Sequence, residues 1–74
     1  MVNGTSLSQS PWKQDQLLEI DIDDLSASGE GVGHWGPDRQ VVFVPDSLPG
    51  DRIVARLTYV KSNYAHGTLV AVHT

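Results

Sequence analysis

GVGHWG, residues 31–36, decides which kind of fold this sequence encodes. Gly31, Gly33 and Gly36 stand at the spacing G-x-G-x-x-G. In a dinucleotide-binding α/β unit that spacing opens a helix whose N-terminus holds a pyrophosphate, with an acidic residue about twenty positions further on. Here Gly36 is followed by Pro37-Asp38-Arg39 and then by Val41-Val42-Phe43-Val44. A proline turn running into β-branched residues is a strand entry, not a helix start. No Gly-Lys-Ser/Thr phosphate loop is present either. The glycines therefore read as backbone geometry. Gly29 and Gly31 supply the positive φ of a tight connection, Gly33 lets a strand curve, and Gly36 with Pro37 and Asp38 makes a reverse turn.

The flanking sequence is strand-like on both sides. In QLLEIDIDDL (16–25), Leu18, Ile20 and Ile22 alternate with Glu19, Asp21 and Asp23, a strand with one buried face. Leu25 falls off that parity, which predicts a bulge near Asp23-Asp24. SASGEG (26–31) is turn chemistry, VGHW (32–35) a short strand, GPDR (36–39) a turn and QVVFV (40–44) a strand. PDSLPGD (45–51) is a loop. RIVARLTYVK (52–61) puts Ile53, Ala55 and Leu57 on one face and Arg56 and Thr58 on the other, and Val60 breaks the parity, predicting a second bulge or a sharp bend. Ser62-Asn63 is a turn, and YAHGTLVAV (64–72) is the last strand, with Gly67 permitting a kink at a barrel corner. Five short strands without a helix predict an all-β, five-stranded antiparallel barrel. Residues 1–14, rich in Ser, Gln, Asn and Gly, read as a flexible N-terminal tail pinned at Trp12, ahead of a barrel domain over residues 15–74.

A chain of 74 residues allows one small domain. The absence of cysteine excludes disulfides, Cys-ligated zinc, iron–sulfur clusters and a thiol nucleophile. No stretch approaches the ~20 apolar residues of a membrane helix. The first residues, MVNGTSLSQS, lack the basic start and apolar run of a signal peptide, so a cytoplasmic, monomeric domain without a membrane partner is expected. The net charge of −4 is unevenly spread. Up to Asp38 there are seven acids against Lys13 alone; from Arg39 onward Arg39, Arg52, Arg56 and Lys61 outnumber Asp46 and Asp51. A barrel would turn this into an acidic side and a weakly basic one, unless the charges simply scatter over solvated surface.

Catalytic constellations are missing. Asp21 and Asp23 share a strand face pointing away from Ile20 and Ile22, the position of solvated carboxylates rather than of a buried acid–base pair. His34, His66 and His73 are far apart and have no metal-ligand spacing. No strained nucleophile turn is visible. Binding is the remaining chemistry. Aromatic rings stack on unpaired bases while Arg and Lys hold phosphates. RLTYVKSNYAH (56–66) concentrates Arg56, Tyr59, Lys61, Asn63, Tyr64 and His66 in one hairpin, with Arg39, His34 and Trp35 as flanking candidates for nucleic-acid contact. Phe43, within an apolar run, reads as a core aromatic; Arg56 reads equally well as an ordinary exposed strand charge.

DLSASGEGVGHW (24–35) followed by QVVFVPDSLPGDRIVARLTYVKSNYAHGTLVAV (40–72) resembles the TRAM domain of RNA-modifying enzymes, from about Leu17 to Val72. The resemblance rests on Gly29-x-Gly31-Val32-Gly33, on Val42-Phe43-Val44-Pro45 and on Leu48-Pro49-Gly50-Asp51, in that order. It implies an OB-fold-like barrel that brings ribosomal or transfer RNA to an attached catalytic domain. Such domains stand at the N-terminus of RNA uracil-5-methyltransferases and at the C-terminus of tRNA methylthiotransferases. A short start before the barrel suggests the former. For that parent enzyme the resemblance implies S-adenosylmethionine, a cysteine nucleophile and a general-base carboxylate, none of which falls on these residues; no cofactor is expected in this chain itself. Where family members carry further Lys and Arg after the position of Tyr59, this sequence has Lys61-Ser62-Asn63, so modest, salt-sensitive RNA binding is expected. The rival expectations are a structural barrel that docks on its own enzyme through exposed apolar surface at Phe43 or Val70, and a free-standing RNA-binding protein.

Overall fold

Alternating hydrophobicity builds every long strand. A computed structural model describes residues 12–73. Strand β1 (Leu17–Leu25) turns Leu18, Ile20 and Ile22 inward, and β4 (Arg52–Val60) does the same with Ile53, Ala55 and Leu57. Between them lie β2 (Gly31–Trp35) and β3 (Gln40–Val44), and β5 (Tyr64–Val72) ends the fold. The inward residues of β3 are Gln40, Val42 and Val44, so Phe43 points outward, against the expectation of a core aromatic. Because Val41, Val42, Phe43 and Val44 are all apolar, alternation there could not choose a face.

The sheet closes in the order β1-β2-β3-β5-β4, with β4 pairing back onto β1. Every neighbouring pair is antiparallel except β3 and β5, which run parallel from Val41↔Tyr64 to Phe43↔His66. The expected all-antiparallel barrel is thus mixed at one seam. Topology requires this, since alternating directions cannot close a ring with an odd number of strands. Both predicted bulges are present, between Ile22 and Asp24 on β1 and between Leu57 and Tyr59 on β4.

The glycines divide into two kinds. Gly29 (φ +89°) and Gly36 (φ +81°) take the left-handed turn conformation, as expected. Gly31 does not; it is a site of close approach. A Cβ there would collide with the Oγ of Ser47 and lie 2.9 Å from the Ser47 carbonyl oxygen and 3.0 Å from Ile22 Cγ2. Ser47 is fully buried and donates its hydroxyl to the Val44 carbonyl at 2.7 Å. A Cβ on Gly33 would lie 2.8 Å from the Asp21 carbonyl oxygen, so β1 and β2 cross there more tightly than a side chain allows.

Residues 1–11 of the expected tail lie outside the described residues. Trp12 is buried, its ring stacked on Trp35 at 5.8 Å and 11°. Trp12 joins the core of Leu18, Ile20, Ile22, Val42, Val44, Ile53, Ala55, Leu57 and Ala65, and Trp35 packs against it.

Candidate nucleic-acid interface

The outer face of β3, β5 and β4 gathers four rings. Register places Phe43 beside His66 and His66 beside Tyr59. The Phe43 and His66 rings stack at 5.2 Å, and Tyr59 lies 6.0 Å from His66. Tyr64 completes the group at 5.8 Å from His66, 6.3 Å from Tyr59 and 6.4 Å from Phe43. The β4 bulge makes this possible. Tyr59 would share the inward parity of Leu57 in a regular strand; the extra residue, Thr58, turns it outward to pair with His66. Thr58 Oγ1 donates to the His66 carbonyl at 3.2 Å and holds the bulge in place.

Charge surrounds the rings. Lys61 Nζ sits 5.5 Å from the centre of the Tyr59 ring, a cation–π geometry. Arg56 is exposed and pairs with Thr68, on the same outer face as Tyr59 and His66 but nearer the start of β4. Asn63 is exposed in the turn between β4 and β5. Glu30, which the sequence reading passed over, brings its Oε2 to 3.9 Å from His66 Nδ1.

The remaining candidates go elsewhere. His34 is separated from Tyr64 by Val41 in the register, and its Nδ1 turns to Asp23 Oδ2 at 3.4 Å. Trp35 is spent on Trp12 and the core. Arg39, His34 and Trp35 instead line an open cavity of about 250 Å³ beside Glu19, Asp21 and Arg52. Arg52 hydrogen-bonds Asp21 Oδ1 at 2.8 Å and Glu19 Oε2 at 3.2 Å, and these contacts, Asp21 first, raise its pKa further. The structure thus brings together Tyr59, Lys61, Asn63, Tyr64 and His66, with Arg56 nearby, and sends Arg39, His34 and Trp35 to a second, acid-lined surface. Phe43 joins the rings unforeseen. In the closed strand order β1 lies across the barrel from the β3–β5 seam and pairs with β4, so the exposed Glu19, Asp21 and Asp23 are two strands from Phe43 and His66 and one strand from Tyr59.

A small closed barrel with the OB strand order, one outer face of rings and scattered cations, defines a class of nucleic-acid-binding modules. The chain matches the TRAM domain family over residues 11–70 and belongs to it. It is 52% identical over 63 residues to an uncharacterized RNA methyltransferase of Nostoc sp., covering 85% of this chain and 13% of that protein. It is 39% identical over 59 residues to a tRNA (uracil(54)-C(5))-methyltransferase of Schizosaccharomyces pombe, covering 80% of this chain and 11% of that protein. The chain therefore spans only a small fraction of the curated relatives it matches. A solution structure of a conserved protein of Methanococcus maripaludis superimposes with a TM-score of 0.76 at 30% identity, covering 95% of this chain and 99% of that one.

Proposed function

We propose that this domain is a non-catalytic RNA-binding module that presents ribosomal or transfer RNA to the catalytic part of an RNA uracil-5-methyltransferase in the cytoplasm. The observation that carries the reading is the ring cluster of Phe43, Tyr59, Tyr64 and His66 with Lys61 above Tyr59, centred on the β3–β5 seam across the barrel from β1. Rings with exposed edges and faces accept unpaired bases, and Lys61 and Arg56 neutralise the connecting phosphates. Similarity to RNA methyltransferases supplies the methyl-transfer context, in which S-adenosylmethionine would be the methyl donor. Among the described residues the glycine-rich stretch does not fit that cofactor. Gly31 and Gly33 are closed over by Ser47, Ile20 and Ile22, and the stretch leads into a turn and β3.

Titrating the domain with a single-stranded or stem-loop RNA while following backbone amide shifts tests the reading. Shifts are expected at Phe43 and from Tyr59 to His66. Shifts confined to Asp21–Asp24, or none at millimolar RNA in low salt, would remove it. A docking role is favoured by the exposure of Val70 and Leu17 on the outside of the barrel. It predicts instead that deleting residues 1–74 from the full enzyme leaves RNA affinity intact and lowers its stability.

A further inference from the structure

The turn between β4 and β5, Lys61–Asn63, is exposed, yet all three of its carbonyls are captured from outside the hairpin. Trp12 Nε1 donates to the Lys61 carbonyl at 2.7 Å. Gln40 Nε2 donates to the Ser62 carbonyl. The backbone N–H of Val41 donates to the Asn63 carbonyl at 3.3 Å. Carbonyls of an exposed turn are ordinarily satisfied by water and leave the loop free to move. Here they are tied to residue 12, to the inside of the barrel and to β3.

Gln40 is the informative member. It is only 7% exposed, points inward among Val42, Val44 and the other core residues, and no donor among the described residues reaches its Oε1. A buried acceptor without a donor opposes folding, so an apolar side chain of equal length would serve the barrel at least as well. What an apolar side chain cannot do is hold the Ser62 carbonyl.

We propose that Gln40, assisted by Trp12, is a positioning residue that fixes the Lys61–Asn63 turn so that Lys61, Tyr59 and Tyr64 are arranged before RNA arrives. The role rests on the RNA-binding reading above. Its energetic basis is preorganisation: side chains already ordered in the free domain need not be immobilised on binding. Trp12 contributes through the indole N–H, while its ring is anchored by Trp35, the register partner of Gln40 on β2. The brace therefore runs from the N-terminal segment through β2 and β3 to the turn.

The test compares wild type, Gln40→Met and Trp12→Phe in the 74-residue domain, which closes a core of its own. Three quantities are read: the melting temperature, hydrogen exchange of the Lys61 amide that bonds the Tyr64 carbonyl at 2.8 Å, and affinity for a single-stranded RNA. For Gln40→Met the expected result is an unchanged or raised melting temperature, faster exchange at Lys61, and affinity lowered roughly three- to tenfold, the scale of ordering one or two side chains. Trp12→Phe, which keeps a ring against Trp35, is expected to loosen the same amide. Wild-type exchange at Lys61 in both variants overturns the proposal. So does unchanged affinity, or a Gln40→Met domain that melts early or fails to fold, which would make Gln40 a residue of the core. Failure of the wild-type domain to bind RNA at all would sink the RNA-binding reading instead, a result distinct from variants that bind as well as wild type.

Discussion

Tyr59 and Trp35 both look like base-stacking residues in the sequence, and the structure gives them different work. Tyr59 is 46% exposed and holds Lys61 over its ring, whereas Trp35 packs on Trp12 and the core. Tyr59→Ala should therefore cost about 1–3 kcal/mol of RNA binding, the worth of one stacked base, with little change in melting temperature. Trp35→Ala should instead act first on stability, lowering unfolding free energy by on the order of 2–4 kcal/mol, somewhat below a fully buried tryptophan, and should weaken RNA binding only as far as the turn braced through Trp12 loosens, while amide shifts on RNA addition stay centred on Tyr59–His66. Thermal unfolding and RNA titration of the two variants check this, and a Trp35 variant that melts normally but no longer binds would reverse the assignment. Why the sequence revealed one residue and concealed the other is a matter of context. Tyr59, Lys61, Asn63, Tyr64 and His66 are close in the chain, so one hairpin brings them together. Phe43 reaches the same cluster only through the β3–β5 pairing, and Trp35 leaves it only through a partner, Trp12, that lies 23 positions away.

At the level of strands, parity was readable wherever polar residues alternate with apolar ones. Leu18-x-Ile20-x-Ile22 and Ile53-x-Ala55-x-Leu57 settle the inward faces of β1 and β4, and the residues that break parity mark the bulge within each of those two strands. The β4 bulge matters for the proposed interface because it turns Tyr59 outward. The parallel β3–β5 seam has no local signature, since it depends on the closure of the whole ring. Glycine chemistry was half legible: that Gly31 serves the backbone could be read, but its reason could not, because Ser47 comes from a loop sixteen residues later. Gly31→Ala should drive the Ser47 hydroxyl from its bond to Val44 and press on Ile22, costing about 2–4 kcal/mol through overpacking and a lost buried hydrogen bond. Gly29→Ala meets open space and only the strain of a positive φ, so its cost should be about 1–2 kcal/mol. Denaturant unfolding of the two variants distinguishes close approach from backbone conformation; equal losses would show that space beneath Gly31 is not what matters.

Across the whole molecule, a net charge of −4 and a proposed polyanion partner are compatible because the barrel separates its charges. Glu19, Asp21 and Asp23 lie on β1, with Arg52 drawn into that side by Asp21 and Glu19, while Lys61 and Arg56 stand with the rings of β3, β5 and β4. The cations are therefore not equivalent, although the sequence alone ranks them alike. Each phosphate neutralised on a single strand adds about −0.7 to the slope of log affinity against log salt. With Lys61 and Arg56 as the phosphate contacts, the slope should lie near −1.4 on that basis, shallow for a nucleic-acid binder. Lys61→Gln and Arg56→Gln should each reduce it by about 0.7 and weaken binding to different single-stranded sequences alike. Arg52→Gln should leave the slope unchanged, because its guanidinium already serves two carboxylates of the neighbouring strand β1. Affinities measured between 50 and 300 mM salt, roughly the span over which counterion release is read, make the comparison. If Arg52→Gln flattened the slope while Lys61→Gln did not, RNA would be lying against the cavity of Arg39 and His34, and the two faces of the barrel would have exchanged roles.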